Sequence, residues 1–191
     1  MSTEVANEKL NSELLEIENE IRKLKEKRTN LRRAMPKEEI QDYTFKNLSG
    51  EVKLSDLFAD KEVLVVIHNM GKGCAYCTLW GDGFNGIIDH LENKFSFIVE
   101  SKNTPEEQQK FASERNWKLK MYSSRDTSFK QDLGFADGNN NIPGLSVFTK
   151  NKDGKIYRNS STVFGPGDDF CSMWYFLDLL PEEISGWSPK F

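Results

Sequence analysis

The stretch Val63-Leu64-Val65-Val66-Ile67-His68-Asn69-Met70-Gly71-Lys72-Gly73-Cys74-Ala75-Tyr76-Cys77 decides the fold. Its first five residues are uniformly apolar, so they read as a strand with no wet face. His68 to Gly73 reads as a loop, and an irregular helix follows from about Cys77 to Leu91. Cys74 therefore stands where a helix begins. Unpaired backbone N–H groups and the positive end of the helix dipole favour thiolate over thiol at such a place. A reference thiol titrates near ~8.5, and this setting lowers it to roughly 7 or below. Cys77, one turn on, lies beneath Cys74 and can attack a mixed disulfide formed there.

Competing readings of these residues differ in chemistry. Three cysteines are too few, and odd in number, for a disulfide scaffold, so C-x-x-C points to redox chemistry or metal. His90 completes C-x2-C-x12-H, the front half of a zinc finger, but no second histidine follows. The expectation is no metal, with His90 an exposed or half-buried helix residue. His68 sits at the C-terminal end of the strand, where sites of open α/β sheets gather. It either supports the Cys74 thiolate and shuttles protons, or is a half-buried histidine bonded to a loop carbonyl, the plainer reading. Ile142-Pro143-Gly144 directly precedes another apolar strand. A proline there can be cis, facing a dithiol and exposing backbone for a substrate chain. Trp80 either lines the site or packs. Cys171, in an apolar helix, reads as a buried inert thiol.

Outward from this centre, strands and helices alternate. Residues 43–54 read as a hairpin with its turn at Leu48-Ser49-Gly50. Phe95 to Val99 is a second buried strand. Thr104-Pro105-Glu106-Glu107 is a capping box with proline at the first helical position, opening a helix to about Arg115. A short strand at 118–122, a short helix at 126–133 and a polar loop at 136–141 follow. Strands at 145–149 and 156–158 flank a turn, and a helix at 169–180 ends at Pro181. Gly81, Gly83 and Gly86 argue for a bent or interrupted helix after the cysteines, since each costs ~1 kcal/mol against alanine. The pattern predicts an α/β sheet covered by helices on both faces.

Residues 8–35 read as one helix ended by Pro36. Leu10, Leu14, Ile17, Ile21, Leu24, Leu31 and Met35 form a heptad seam, interrupted by Arg28. Charge runs from acidic (Glu13, Glu16, Glu18, Glu20) to basic (Arg22 to Arg33), which suits the dipole. This arm either packs on its own domain or forms a dimeric coiled coil. The expected division is an arm at 1–36, a domain at 37–181 and a tail at 182–191.

Across 191 residues, 37 % are hydrophobic and 29 % charged, a globular balance. The net charge of −4 does not attract nucleic acid over the whole surface. No apolar run approaches the ~20 residues of a spanning helix. The N-terminus carries no secretory pattern, so a cytoplasmic place is expected.

Several motifs together resemble the bacterial thioredoxin-like family known as domain of unknown function 899, related to AhpC/TSA-type proteins. They are Asn30-Leu31-Arg32-Arg33-Ala34-Met35-Pro36, Leu54-Ser55-Asp56-Leu57-Phe58, Gly73-Cys74-Ala75-Tyr76-Cys77-Thr78-Leu79-Trp80-Gly81-Asp82-Gly83-Phe84-Asn85-Gly86, Trp117 with Tyr122-Ser123-Ser124, Pro143-Gly144-Leu145-Ser146-Val147-Phe148 and Leu177-Asp178-Leu179-Leu180-Pro181. The resemblance covers nearly the whole chain. It implies a thioredoxin-like fold, a central mixed sheet flanked by helices, with the N-terminal arm. By position it makes Cys74 the attacking thiol, Cys77 the resolving thiol and Pro143 a cis-proline opposite them. Ala75-Tyr76 replaces the Gly-Pro of true thioredoxins, and the bulky Tyr76 changes redox potential and partner fit. The leading expectation is a thiol–disulfide oxidoreductase acting without cofactor on a protein or small-molecule thiol or disulfide. Peroxide reduction is the alternative, although Gly71 stands where peroxiredoxins usually place threonine. A non-catalytic fold that dimerises through 8–35 is the third.

Overall fold

The computed structural model describes residues 3–181 and 187–191. By its internal contacts the chain divides into two units, Met1–Pro36 and Lys37–Phe191. The first unit is one helix, α1 (Thr3–Ala34). Its heptad seam is exposed along its length, each residue from Leu10 to Met35 named above lying between 41 and 64 % exposed. Met35 N–H still reaches Leu31 O at 3.1 Å, and Pro36, which has no N–H, ends the run.

The second unit carries β1 (Glu38–Ile40), β2 (Thr44–Asn47), β3 (Gly50–Lys53), a 3₁₀ turn at Asp56–Phe58, β4 (Val63–His68), α2 (Ala75–Lys94), β5 (Ser96–Ser101), α3 (Pro105–Glu114), β6 (Met121–Ser123), α4 (Phe129–Asp132), β7 (Ala136–Asp137), β8 (Asn140–Asn141), β9 (Gly144–Lys150), β10 (Ile156–Val163) and α5 (Met173–Asp178). Eight strands form one mixed sheet in the order β1-β10-β9-β4-β5-β6-β2-β3. Strands β4, β5 and β6 run parallel, and β9 lies antiparallel to β4.

Strand alternation explains why β4 is apolar throughout. Leu64 and Val66 enter a core with Phe45, Phe58, Ile98, Phe129, Phe135 and Phe148. Val65 and Ile67 enter the opposite core with Trp80, Phe84, Ile88, Phe97, Val99 and Trp117. The sheet is thus packed on both faces, which is the thioredoxin-like layering expected from the sequence.

Several elements differ from the sequence reading. Helix α2 is unbroken over 20 residues despite its three glycines. Gly81 answers a packing need: a Cβ there would stand 2.5 Å from the Trp117 ring, whereas Gly83 and Gly86 face open space. The polar loop at 136–141 is a tight β7–β8 hairpin around Gly138, whose φ is +55°. Helix α5 starts only at Met173, because Asp168 accepts from the N–H groups of Gly165 (3.0 Å) and Phe170 (2.7 Å) and holds the preceding residues in a turn. The box at α3 forms as read: Glu107 N–H donates to Thr104 Oγ1 at 3.2 Å and Thr104 N–H to Glu107 Oε2 at 3.0 Å. Of the tail, 182–186 lie outside the described residues, and the Trp187 ring lies 6.1 Å from Trp174. Among the described residues no helix is long and apolar enough to cross a membrane.

Candidate active site

Strand β4 ends at His68, and the chain leaves the sheet through Asn69 to Gly73 before entering α2. That loop is tied down. Gly71 N–H donates to Asn69 Oδ1 at 2.6 Å, Lys72 N–H to Asn103 Oδ1 at 2.9 Å, and Lys72 Nζ pairs with Glu107 Oε1 at 2.8 Å. Gly71 holds φ +119°, and a Cβ there would crowd Asn103 Oδ1 at 2.9 Å, so the residue must be glycine.

Cys74 is the N-cap of α2. Its Sγ accepts the Cys77 N–H at 3.0 Å. The hydrogen bond from the Cys77 thiol lowers the Cys74 pKa to about 7; burial opposes this, and the N–H groups of Cys77 and Tyr76 add to it. Cys77 is buried at 4 % exposure. Its thiol is pushed up, first by that same bond to Cys74 and then by burial. One sulfur is therefore half-exposed and easily ionised, and its neighbour is covered and protonated. Both are free thiols.

Cys77 also has a second partner. Met70 N–H donates to its Sγ at 3.4 Å. The carbonyl of that same peptide group, Asn69 O, accepts Lys130 Nζ at 2.8 Å. Lys130 is fully buried on α4 and lies 3.3 Å from Glu100 Oε1. A single peptide unit thus links a buried cation to the lower sulfur, and both the Met70 bond and the Lys130 charge favour its thiolate.

His68 corrects the sequence reading. It is neither half-buried nor bonded to a loop carbonyl: it is 0 % exposed, with Nδ1 2.8 Å from Glu100 Oε1 and Nε2 2.9 Å from Ser146 Oγ. The cause is strand register, which sets His68 beside Glu100 on β5. A carboxylate only accepts, so Nδ1–H donates to Glu100 and Nε2 accepts from the Ser146 hydroxyl. Burial lowers the His68 pKa and outweighs the pull of Glu100, which keeps the imidazole neutral. Burial works against the Glu100 carboxylate, but Lys130, His68 and the Ser124 hydroxyl at 2.5 Å together hold it below the usual range. The His68 ring stacks on Phe135 with centroids 3.7 Å apart. Glu100 and Lys130 were not singled out by the sequence, and Ser124 and Ser146 stood only within motifs of the resemblance, with no role. One signal was present: Glu100 follows the apolar run of β5, a charge at the level where β4 carries His68.

The remaining expected residues fall as follows. Tyr76 is half-buried, its ring 6.2 Å from both Trp80 and Trp174. Trp80 is 3 % exposed and belongs to the core, so it packs rather than lining an open site. Gly144 pairs with His68 across β9 and β4, so Ile142 and Pro143 emerge at the sheet end from which the Cys74 loop leaves. The expected cis bond at Pro143 is absent; no peptide among the described residues is cis. The trans chain threads between two bonds, Ile142 N–H to Phe135 O and Phe164 N–H to Pro143 O, each 2.9 Å. The Ile142 N–H is therefore already engaged within the chain. Cys171 is buried, with its thiol pushed up by burial. His90 is exposed on α2. Among the described residues no group of three or more His, Cys, Asp or Glu side chains could hold a metal ion.

The fold recurs in solved structures. Reduced Prx3 from Vibrio vulnificus matches with a TM-score of 0.57 at 15 % identity, covering 75 % of this chain and 97 % of that one. A candidate thiol-disulfide oxidoreductase from Bacteroides vulgatus matches with a TM-score of 0.51 at 16 % identity, covering 75 % and 95 %. Peroxidoxin BcpB from Mycobacterium tuberculosis matches with a TM-score of 0.51 at 20 % identity, covering 63 % and 80 %. No curated protein matches the sequence. Residues 2–184 match a family model described as bacterial protein of unknown function (DUF899).

Proposed function

The chain belongs to this DUF899 family of bacterial proteins, and on that premise we propose that it is a thiol–disulfide oxidoreductase. The observation that carries the reading is the asymmetric pair at the start of α2: Cys74 half-exposed and lowered to about 7, Cys77 covered and protonated. The Cys74 thiolate attacks one sulfur of a protein or small-molecule disulfide, and a thiolate leaves. Once Cys74 is bound in that mixed disulfide, its sulfur no longer holds the Cys77 proton. The Met70 N–H and the Lys130 charge then favour the Cys77 thiolate, whose proton passes to the thiolate released first; Cys77 attacks Cys74 and the second thiolate leaves. Two electrons reach the substrate, the Cys74–Cys77 disulfide remains, and a donor thiol or dithiol restores the pair. Tyr76, Ile142 and Pro143 border this end of the sheet and shape what docks there. His68 stands apart from that surface and supports the site through Glu100. The reaction needs no cofactor.

We place the protein in the cytoplasm, where thiols are kept reduced, and assign it a homodimer held by α1. The unit after α1 is read as the thioredoxin-like domain, 37–181, followed by the tail.

Alkylation tests the site. One thiol should react rapidly in wild type, with a rate that rises through a midpoint near pH 7 and then levels; below it the rate falls about tenfold per pH unit. Cys74→Ser should remove the fast phase and all disulfide reductase turnover, while Cys77→Ser should trap the mixed disulfide. A fast phase that survives Cys74→Ser would sink the assignment. Rapid peroxide consumption through Cys74 would move the assignment to peroxide reduction, with Cys77 resolving a sulfenic acid.

A further inference from the structure

We infer that α1 pairs with α1 of a second copy of this chain in antiparallel orientation, resting on the arm-mediated dimer above and adding its direction and contacts. Leu10, Ile17, Leu24 and Leu31 recur at one core position of the heptad, and Leu14, Ile21, Arg28 and Met35 at the other. All the apolar members are exposed. The flanking residues then follow from the sequence. Asn11, Glu18, Lys25 and Arg32 come directly after the first set, and Glu13, Glu20, Lys27 and Ala34 directly before the second.

Orientation decides which flanks meet. In an aligned parallel pair each residue of the second flank faces the partner's residue five places on. Glu13 then meets Glu18, Glu20 meets Lys25, and Lys27 meets Arg32: two of these three contacts are like-charged. Arg28 also faces its own copy across the core. In an antiparallel pair with Leu10 set against the partner's Met35, each flank meets the same flank of the other copy. Glu18 then meets Lys25 and Glu20 meets Lys27, and the two-fold axis makes each contact twice. Asn11 meets Arg32, and Glu13 meets Ala34, so no like charges face each other. Arg28 lies against Ile17, whose sequence neighbours are Glu16 and Glu18. The acid-to-base gradient along α1 is thereby self-complementary only when one copy is reversed. The overlap spans about 39 Å at 1.5 Å per residue, and the two helix dipoles oppose.

Sedimentation of the full-length chain distinguishes the arrangements through Glu18→Lys. This exposed position accepts a good helix former, and circular dichroism checks that the helix persists. Antiparallel pairing predicts dimerisation weakened on the order of tenfold, since two attractive contacts become repulsive, with recovery in Glu18→Lys/Lys25→Glu. Tighter association of Glu18→Lys would overturn the orientation while leaving the dimer, because a parallel pair loses its Glu13–Glu18 repulsion. Unchanged association, or weakening without recovery in the double variant, would overturn the assigned contacts. A wild-type chain that stays monomeric at high micromolar concentration would overturn the dimer itself.

Discussion

A neutral histidine bonded on both nitrogens inside a sheet ties folding to acid. The His68 pKa is depressed in the folded chain, so the unfolded chain binds the extra proton. Stability from this residue is complete above its unfolded value near 6.5 and falls as pH drops below it, by up to about 1.4 kcal/mol per pH unit. Glu100 is also depressed, and its contribution is full above the ordinary carboxylate range and lost only as pH falls through its lower folded value. Between pH 7 and 5 His68 therefore dominates. The urea midpoint should drop across that interval, and His68→Gln should lower the midpoint at pH 7 yet flatten the drop. An equal slope in the variant would show that another group titrates. The two cysteines were legible because local spacing sets their chemistry: a helix start is readable from a strand, a glycine loop and apolar periodicity. The His68–Glu100–Lys130 cluster was not, because its members come from β4, β5 and α4: parallel register sets His68 beside Glu100, and the packing of α4 brings Lys130 to them.

Helix α2 shows how packing reverses a propensity argument. Three glycines read as a bend or a break, yet one continuous helix forms because its apolar face is buried against the sheet through Trp80, Phe84 and Ile88. The glycines then separate by what surrounds them. Gly83→Ala and Gly86→Ala meet open space and should each stabilise the protein by up to about 1 kcal/mol. Gly81→Ala drives a methyl into the Trp117 ring and should destabilise it by about 1–3 kcal/mol, the overpacking cost exceeding the propensity gain. Denaturant midpoints of the three variants provide the comparison; a stabilised Gly81→Ala would show that Trp117 yields freely. Asp82 explains why that ring is held: its carboxylate accepts Trp117 Nε1 at 2.7 Å and pairs with Arg115. The capping box of α3 was readable because all its parts lie within four residues. The turn at Asp168 was not, since an acidic residue before an apolar stretch also resembles a helix start.

At the scale of the whole chain, the apolar strands and their alternation with helices were enough to announce a sheet packed on both faces. The edge strand β1 and the reach of β10 to Val163 went unread, because polar edge segments carry no apolar period to mark them. Removing residues 1–36 should leave Lys37–Phe191 folded with a thermal midpoint within a few degrees of the full chain, since its two cores are built from residues beyond the arm. A collapse of the midpoint would show that the arm completes a core. The open sheet has two margins, and both are short and charged: β1 presents Glu38 and Glu39, β3 presents Glu51 and Lys53. Such rims resist the strand-by-strand zipping that turns open sheets into fibrils. Crowding or partial unfolding should therefore not seed polymers from these margins, which stay closed to strands offered by neighbouring chains.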